Sequence, residues 1–139
     1  MSAALLICAV LTMSDGDSGR CRSADGASVR VRLSSIEAGE VAPFSRCRSQ
    51  PGIWACSPIA RTTGPLAARR ARELTANGAR CAVVDRDRYG RPVAICTVAA
   101  GDLGRLIVRA GLARNEPRYG NRYAAEERAA RLERKGIWR

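Results

Sequence analysis

Val84-Asp85-Arg86-Asp87-Arg88-Tyr89-Gly90-Arg91-Pro92-Val93-Ala94 places a polar tip between two apolar, β-prone flanks. The tip carries three arginines, two aspartates, a tyrosine and a glycine. Gly90 permits the left-handed backbone that closes a tight turn. The stretch therefore predicts a β-hairpin, with arms over 79–84 and 92–98, that brings cations and an aromatic ring to one spot. Guanidinium forks match phosphate oxygens bidentately, so such a tip suits a phosphate-bearing ligand. On this stretch alone a solvated, charged hairpin loop fits as well.

Cys81 and Cys96 lie at equal distances from the midpoint of the hairpin. In an antiparallel ladder they fall opposite each other, within bridging reach. Cys47 and Cys56 bracket a loop containing Pro51-Gly52, and Cys8 and Cys21 bracket Asp15-Gly16. These six are all the cysteines, and none forms a C-x-x-C pair. Histidine is absent, which removes an imidazole base and makes a zinc site a poor fit. Three local disulfides are expected, and with them an oxidising compartment. Other pairings, and reduced thiols in a cytosolic protein, stay open.

Upstream, strands are predicted over 5–13, 18–23 and 28–36, joined by Ser14-Asp15-Gly16-Asp17 and Ala24-Asp25-Gly26-Ala27. In the third, Val29, Val31 and Leu33 alternate with Arg30, Arg32 and Ser34, the pattern of a half-buried strand. The apolar run 3–11 is too short to span a bilayer, and no basic residue precedes it. It reads as the first strand, an export signal having been trimmed or lying outside this sequence. Residues 37–58 read as a long loop anchored by Ile53 and Trp54. Gly64-Pro65 opens a helix that Asn77-Gly78 ends. Helices follow over 103–110 and 119–135, with Ile137-Trp138 tucked back onto the body. The fold class is α+β, a five-stranded OB-type β-barrel with three helices, in one domain over 1–139.

Lysine and arginine total 24 against 13 aspartates and glutamates, a net charge of +11. Lys135 is the only lysine. That imbalance calls for a polyanionic partner: nucleic acid, an anionic membrane or an acidic polysaccharide. The carboxylates are placed unevenly. Asp17 follows the first turn, and Glu37 and Glu40 follow the third strand, close after Arg32. Hard oxygen donors of this kind suit Ca²⁺ or Mg²⁺. A phosphodiester attacked by water gains negative charge in the transition state. A divalent ion with Arg32 and Arg91 could stabilise that charge, and a carboxylate could deprotonate the water. Loop carboxylates in solvent and ordinary turn chemistry at Asp17 are the plain alternatives.

Several motifs in order give the chain a resemblance to the staphylococcal nuclease (thermonuclease-like) family over about 6–138. Asp15-Gly16-Asp17-Ser18 resembles its Asp-Gly-Asp-Thr turn, and Arg32 with Ile36-Glu37-Ala38-Gly39-Glu40 resembles its Arg strand followed by Ile-Asp-Thr/Ala-Pro-Glu. Gly64-Pro65 resembles the start of its first helix. Asp87-Arg88-Tyr89-Gly90-Arg91-Pro92-Val93-Ala94 is the most specific match. Leu106 to Ala113 and Lys135-Gly136-Ile137-Trp138 complete the series. The resemblance implies a Ca²⁺-dependent nuclease acting on DNA and RNA, cleaving the P–O5′ bond to leave 3′-phosphate ends. It implies that Asp17 and Glu37 bind the metal, helped by the Ala38 carbonyl, and that Glu40 acts on the attacking water. Arg32 and Arg91 would grip the phosphate, and Arg88 and Tyr89 would contact the nucleotide phosphate; the family's aromatic contact is expected shortly after Gly111-Leu112-Ala113, where Tyr119 is the nearest candidate.

The chain departs from that pattern. Glu37 stands where the family has aspartate, which lengthens the ligand arm. Gly39 stands where it has proline, which is expected to loosen the segment placing Glu40. Ser18 replaces threonine, and the Cys47–Cys56 loop is unlike the prototype. A non-catalytic OB-type nucleic-acid-binding domain is the second reading, and a basic module for anionic surfaces the third. Carboxylates beside a polyanion site disfavour the second, because they repel phosphate, and the last helix is too rich in Glu and Ala for the apolar face that the third requires. The expected assembly is a secreted or periplasmic monomer with no transmembrane segment, whose substrate is single-stranded DNA and RNA.

Overall fold

Alternation in the N-terminal half builds a meander that turns on Asp15-Gly16 and Asp25-Gly26. The computed structural model describes residues 4–139, so residue 3 of the apolar run 3–11 lies outside the described residues. The first strand is broken at Ala9 into β1 (Leu5–Cys8) and β2 (Val10–Met13). β3 (Ser18–Arg22) and β4 (Ser28–Leu33) follow. The strand expected over 28–36 stops at Leu33 because Ser35 adopts a positive φ of 70°. The chain then makes β5 (Ile36–Glu37). The opening hairpin is β6 (Ala79–Arg86) and β7 (Pro92–Val98), paired antiparallel with a shift between Val83 and Asp85. Two-residue pairings complete the strands: β8 (Gly101–Asp102) against β7, and β9 (Arg114–Asn115) against β5.

The main sheet runs β1-β6-β7-β4-β3-β2 as an open path. Its ends belong to consecutive chain segments, β1 pairing with β6 and β2 with β3. Its one parallel pairing, β4 with β7, sets Arg32 opposite Val93. This register brings the arginine of the third predicted strand to the base of the hairpin tip, two residues from Arg91. Leu11, Met13, Val31, Leu33 and Ile36 form the core with Leu103, Ile107 and Val108.

The helices are α1 (Ser45–Ser49), α2 (Pro58–Leu74), α3 (Leu103–Arg109) and α4 (Ala124–Leu132). The fold is therefore α+β with nine strands and four α-helices among the described residues, not five and three. The extra strands arise from the Ala9 break and from pairings too short to carry a period. The extra helix is a single turn inside the loop read as irregular. α2 starts at Pro58, not at Pro65, because Ser57 caps it: its Oγ accepts from the Ala60 N–H at 3.4 Å. The helix expected over 119–135 is a 3₁₀ turn at Pro117–Tyr119 followed by α4.

α2 turns a face of small residues inward: Ala60, Gly64, Ala67, Ala68 and Ala71 are all buried. Two acidic segments seat against that face. A Cβ on Gly16 would lie 2.7 Å from the Cβ atoms of both Ala38 and Ala67. A Cβ on Gly39 would overlap the Ala60 carbonyl, and one on Gly64 would overlap the Glu40 carbonyl. The segments carrying Asp17 and Glu37 to Glu40 are thus set by backbone-to-backbone packing.

The three disulfides are Cys8–Cys21, Cys47–Cys56 and Cys81–Cys96, the local pairing expected from spacing. The Cys8 and Cys81 sulfurs, which belong to different bridges, lie 3.9 Å apart in the core. Cys47–Cys56 ties α1 to the 3₁₀ turn Trp54–Cys56, whose Ala55 carbonyl accepts the Glu40 N–H at 2.9 Å. Replacing both cysteines by serine is expected to lower stability by about 2–3 kcal/mol, read as a fall in denaturation midpoint. No helix among the described residues is long and apolar enough to cross a membrane.

Candidate active site

The turn between β2 and β3 is built by Asp15, whose Oδ1 accepts from the backbone N–H groups of Asp17 at 3.0 Å and Ser18 at 2.8 Å. Asp17 is thereby aimed across at β4 and the segment after β5. Its Oδ2 accepts from the Ala38 N–H at 2.8 Å and lies 3.1 Å from Arg32 Nη1. Arg32 is held further by the carbonyls of Asp17 and Ile36, at 3.2 and 2.9 Å. Burial first, and neighbouring Asp15 with it, push the Asp17 carboxyl up to about 7 against the opposing pull of Arg32.

The hairpin tip is organised by Asp87. Its Oδ1 accepts from the N–H groups of Tyr89 and Arg91, each at 2.9 Å, and its Oδ2 takes Arg91 Nε at 2.7 Å. Burial raises the Asp87 carboxyl, but the Arg91 hydrogen bonds outweigh it and leave the group below its ordinary value. Because Arg91 is gripped through Nε, its terminal nitrogens make no hydrogen bond among the described residues. Gly90 closes the tip with φ 78°. Arg88 lies over the Tyr89 ring at 5.0 Å and donates to its hydroxyl at 2.8 Å.

These groups line one open cleft of about 1300 Å³. Asp17, Arg32, Glu37 and Glu40 enter from the sheet and loop side; Arg88, Tyr89 and Arg91 enter from the tip. Tyr119, largely exposed, stands on the rim. The cleft thus brings together the carboxylates, arginines and tyrosines singled out from the sequence. Ala38 is buried behind the cleft wall.

Gly39 does not loosen this wall. With no Cβ it seats against Ala60, while the Glu40 N–H bonds to Ala55 and the Glu40 carbonyl abuts Gly64. The Glu40 carboxylate meets Arg46 of α1 at 3.4 Å, a partly exposed pair of small energetic weight.

Three residues absent from the sequence reading, Arg114, Glu116 and Arg118, gather about Glu37, together with the loop anchor Trp54. Arg114 Nη2 lies 2.8 Å from Glu37 Oε2 and 3.7 Å from Glu116 Oε2, and its guanidinium sits 4.7 Å above the Trp54 ring. Arg118 Nε bonds Glu116 Oε1 at 3.1 Å. Burial raises Glu116, but the bonds from Arg118 prevail and hold it below the usual range. The antiparallel register of Glu37 opposite Arg114 creates this contact. The one sequence signal was the arginine directly after Gly111-Leu112-Ala113, where an aromatic contact was sought instead.

The donor set fits a hard divalent cation. Asp17 and Glu37 offer carboxylate oxygens on one cleft wall, and burial leaves Asp17 poorly compensated by Arg32 alone. Among the described residues no group of three or more acidic, histidine or cysteine side chains is gathered for a metal. A cation here therefore needs main-chain oxygen, water or substrate to fill its shell.

No curated protein matches the chain. The model of the family described as staphylococcal nuclease homologue matches residues 30–139, from Arg30 through the cleft-forming hairpin to the C-terminus, but not the turn that bears Asp17. Since that span covers well over half of the chain, the protein belongs to the staphylococcal nuclease homologue family.

Proposed function

We propose that the chain is a Ca²⁺-dependent phosphodiesterase that hydrolyses single-stranded DNA and RNA and leaves 3′-phosphate ends. The observation that carries this reading is the convergence of Asp17, Glu37 and Glu40 with Arg32 and Arg91 in one cleft of a strongly basic chain. A domain that only bound phosphate would gain nothing from three acids facing its ligand.

Asp17, Glu37 and the Ala38 carbonyl hold the ion in this scheme. Bound there, it supplies Lewis-acid stabilisation of the phosphate charge. Arg32 and Arg91 donate to the non-bridging oxygens as charge builds on them. Glu40 takes a proton from the attacking water, whose oxygen bonds to phosphorus while the P–O5′ bond breaks; O5′ takes a proton from solvent water, and Glu40 returns its own to solvent. Arg88, Tyr89 and Tyr119 hold the flanking nucleotide. The scaffold fits an OB-type barrel in a single domain, with β1 and β2 as consecutive segments on either side of Ala9. The three disulfides support a secreted or periplasmic location, and the chain is read as a monomer.

The test is digestion of single-stranded DNA with Ca²⁺, with and without a chelator, followed by end-group analysis. Chelator-sensitive cleavage to 3′-phosphate ends is expected. Tight, salt-sensitive binding with no cleavage under any divalent ion would make this a non-catalytic nucleic-acid-binding domain instead. In the same assay Asp87→Asn, which weakens the hold on Arg91, is expected to lower kcat/KM about tenfold, the effect of roughly 1.4 kcal/mol.

A further inference from the structure

The pairing of β3 with β4 does more than deliver Arg32 to the cleft. Its register sets Arg20 opposite Arg30, Arg22 opposite Ser28 and Ser18 opposite Arg32. Side chains alternate between the faces of a strand, so all four arginines share one face. The burial patterns agree: Cys21, Val31 and Leu33 point inward, while Arg20, Arg22 and Arg30 are exposed. On the next strand Thr12 lies opposite Arg20 and Val10 opposite Arg22, so β2 adds no acid to this face.

Like charges directly opposite in an antiparallel pair destabilise a sheet. Arg20 and Arg30 stand so, yet neither they nor Arg22 enters an ion pair with a carboxylate among the described residues. Arg20 makes one hydrogen bond, to Ser28 Oγ at 3.3 Å. Asp25, in the turn between β3 and β4, is occupied by the Ser23 hydroxyl and the Ala27 N–H. Among the described residues, then, no ion pair offsets the repulsion between Arg20 and Arg30.

The stripe is also continuous with the cleft. Arg30 and Arg32 both line it, about 6.8 Å apart as alternate residues of one strand. Arg20 and Arg22 carry the same charge onward across β3. We propose that Arg30, Arg20 and Arg22 form a track for the phosphate backbone of single-stranded nucleic acid, leading the polymer away from Arg32 across the outer face of β3 and β4. This rests on the nuclease reading of the cleft. The face carries no aromatic ring, so the track grips phosphate without stacking bases and binds independently of sequence. Its consequence is a preference for long chains over short ones, because only a chain that outruns the cleft reaches Arg20 and Arg22.

The test compares wild type with Arg20→Thr/Arg22→Thr, both β-compatible substitutions outside the cleft. Binding of fluorescent 4-nucleotide and 25-nucleotide single-stranded DNA is measured by anisotropy in chelator over a range of salt. The double variant is expected to bind the 25-mer at least tenfold more weakly and the 4-mer within about twofold, with the long-chain salt slope reduced by about 1.4. Its melting temperature should match or exceed that of wild type, since a like-charge contact is removed. Equal binding of the 25-mer by both proteins overturns the track. So does a defect confined to phosphatidylserine vesicles, which would make the stripe a membrane contact. Cleavage by wild type is scored separately. A length-dependent binding loss without any cleavage keeps the track and rejects the nuclease, and cleavage with unchanged 25-mer binding does the reverse.

Discussion

Glu40→Gln is expected to lower kcat on single-stranded DNA by about 10²–10⁴-fold, the contribution of a positioned general base. Nucleic-acid binding in chelator should stay within about twofold, because the amide keeps the shape and removes only the basic oxygen. The geometry makes this a sharp test. Glu40 lines the cleft between Arg32 and α1, and its backbone is pinned on both sides, by Ala55 at the N–H and by Gly64 at the carbonyl. Glutamine therefore occupies the same position, so a rate loss reports chemistry and not displacement. If Glu40→Gln cleaves at the wild-type rate, another group deprotonates the water. A parallel loss of binding would mean that Glu40 holds the cleft together through Arg46.

The second large effect falls on stability. Gly39→Pro restores the residue that the family pattern carries, yet it is expected to destabilise this protein by about 1–3 kcal/mol, as overpacking does. The reason is local. Any Cβ at this position overlaps the Ala60 carbonyl in the first turn of α2. Gly39→Ala should fail similarly, which separates the steric effect from proline's backbone restriction. Gly64→Ala, which presses on Glu40 from the helix side, should lower both stability and kcat. Denaturant midpoints read the first, and steady-state rates at a temperature where the variants are folded read the second. A stable, fully active Gly39→Pro would show that α2 can back away from the acidic segment.

Much of this architecture was legible in the chain itself. The hairpin announced its tip through Gly90 and its register through Cys81 and Cys96, which pair opposite each other as their symmetry required. The Arg30–Arg32 alternation and the Asp15-Gly16 turn were equally plain, because strands and tight turns write their geometry in adjacent residues. What escaped depends on contacts between distant segments. Nothing local told that Glu37 would lie opposite Arg114, or that Arg114 would rest on Trp54. Gly39 read as slack because its neighbour, Ala60, arrives from a helix whose start was placed at Pro65. Once Ser57 is seen as the cap, α2 is longer and the glycine becomes a close approach. Ser35 ended a strand through a left-handed backbone that its side chain does not advertise.

The contact between Cys8 and Cys81 has a consequence for how the chain is assembled. These sulfurs belong to different bridges but lie 3.9 Å apart, and all four cysteines of the two bridges are buried. A thiolate attacks a neighbouring disulfide along a short path, so each bridge is the other's nearest exchange partner. A misjoined Cys8–Cys81 link would tie β1 to β6, whose paired register already sets Leu6 opposite Cys81. Such a link leaves Cys21 and Cys96 as thiols while satisfying most of the strand pairing around it. Attack of the Cys21 thiolate on Cys8 would resolve that link, forming Cys8–Cys21 and releasing Cys81 as a thiol to be oxidised with Cys96.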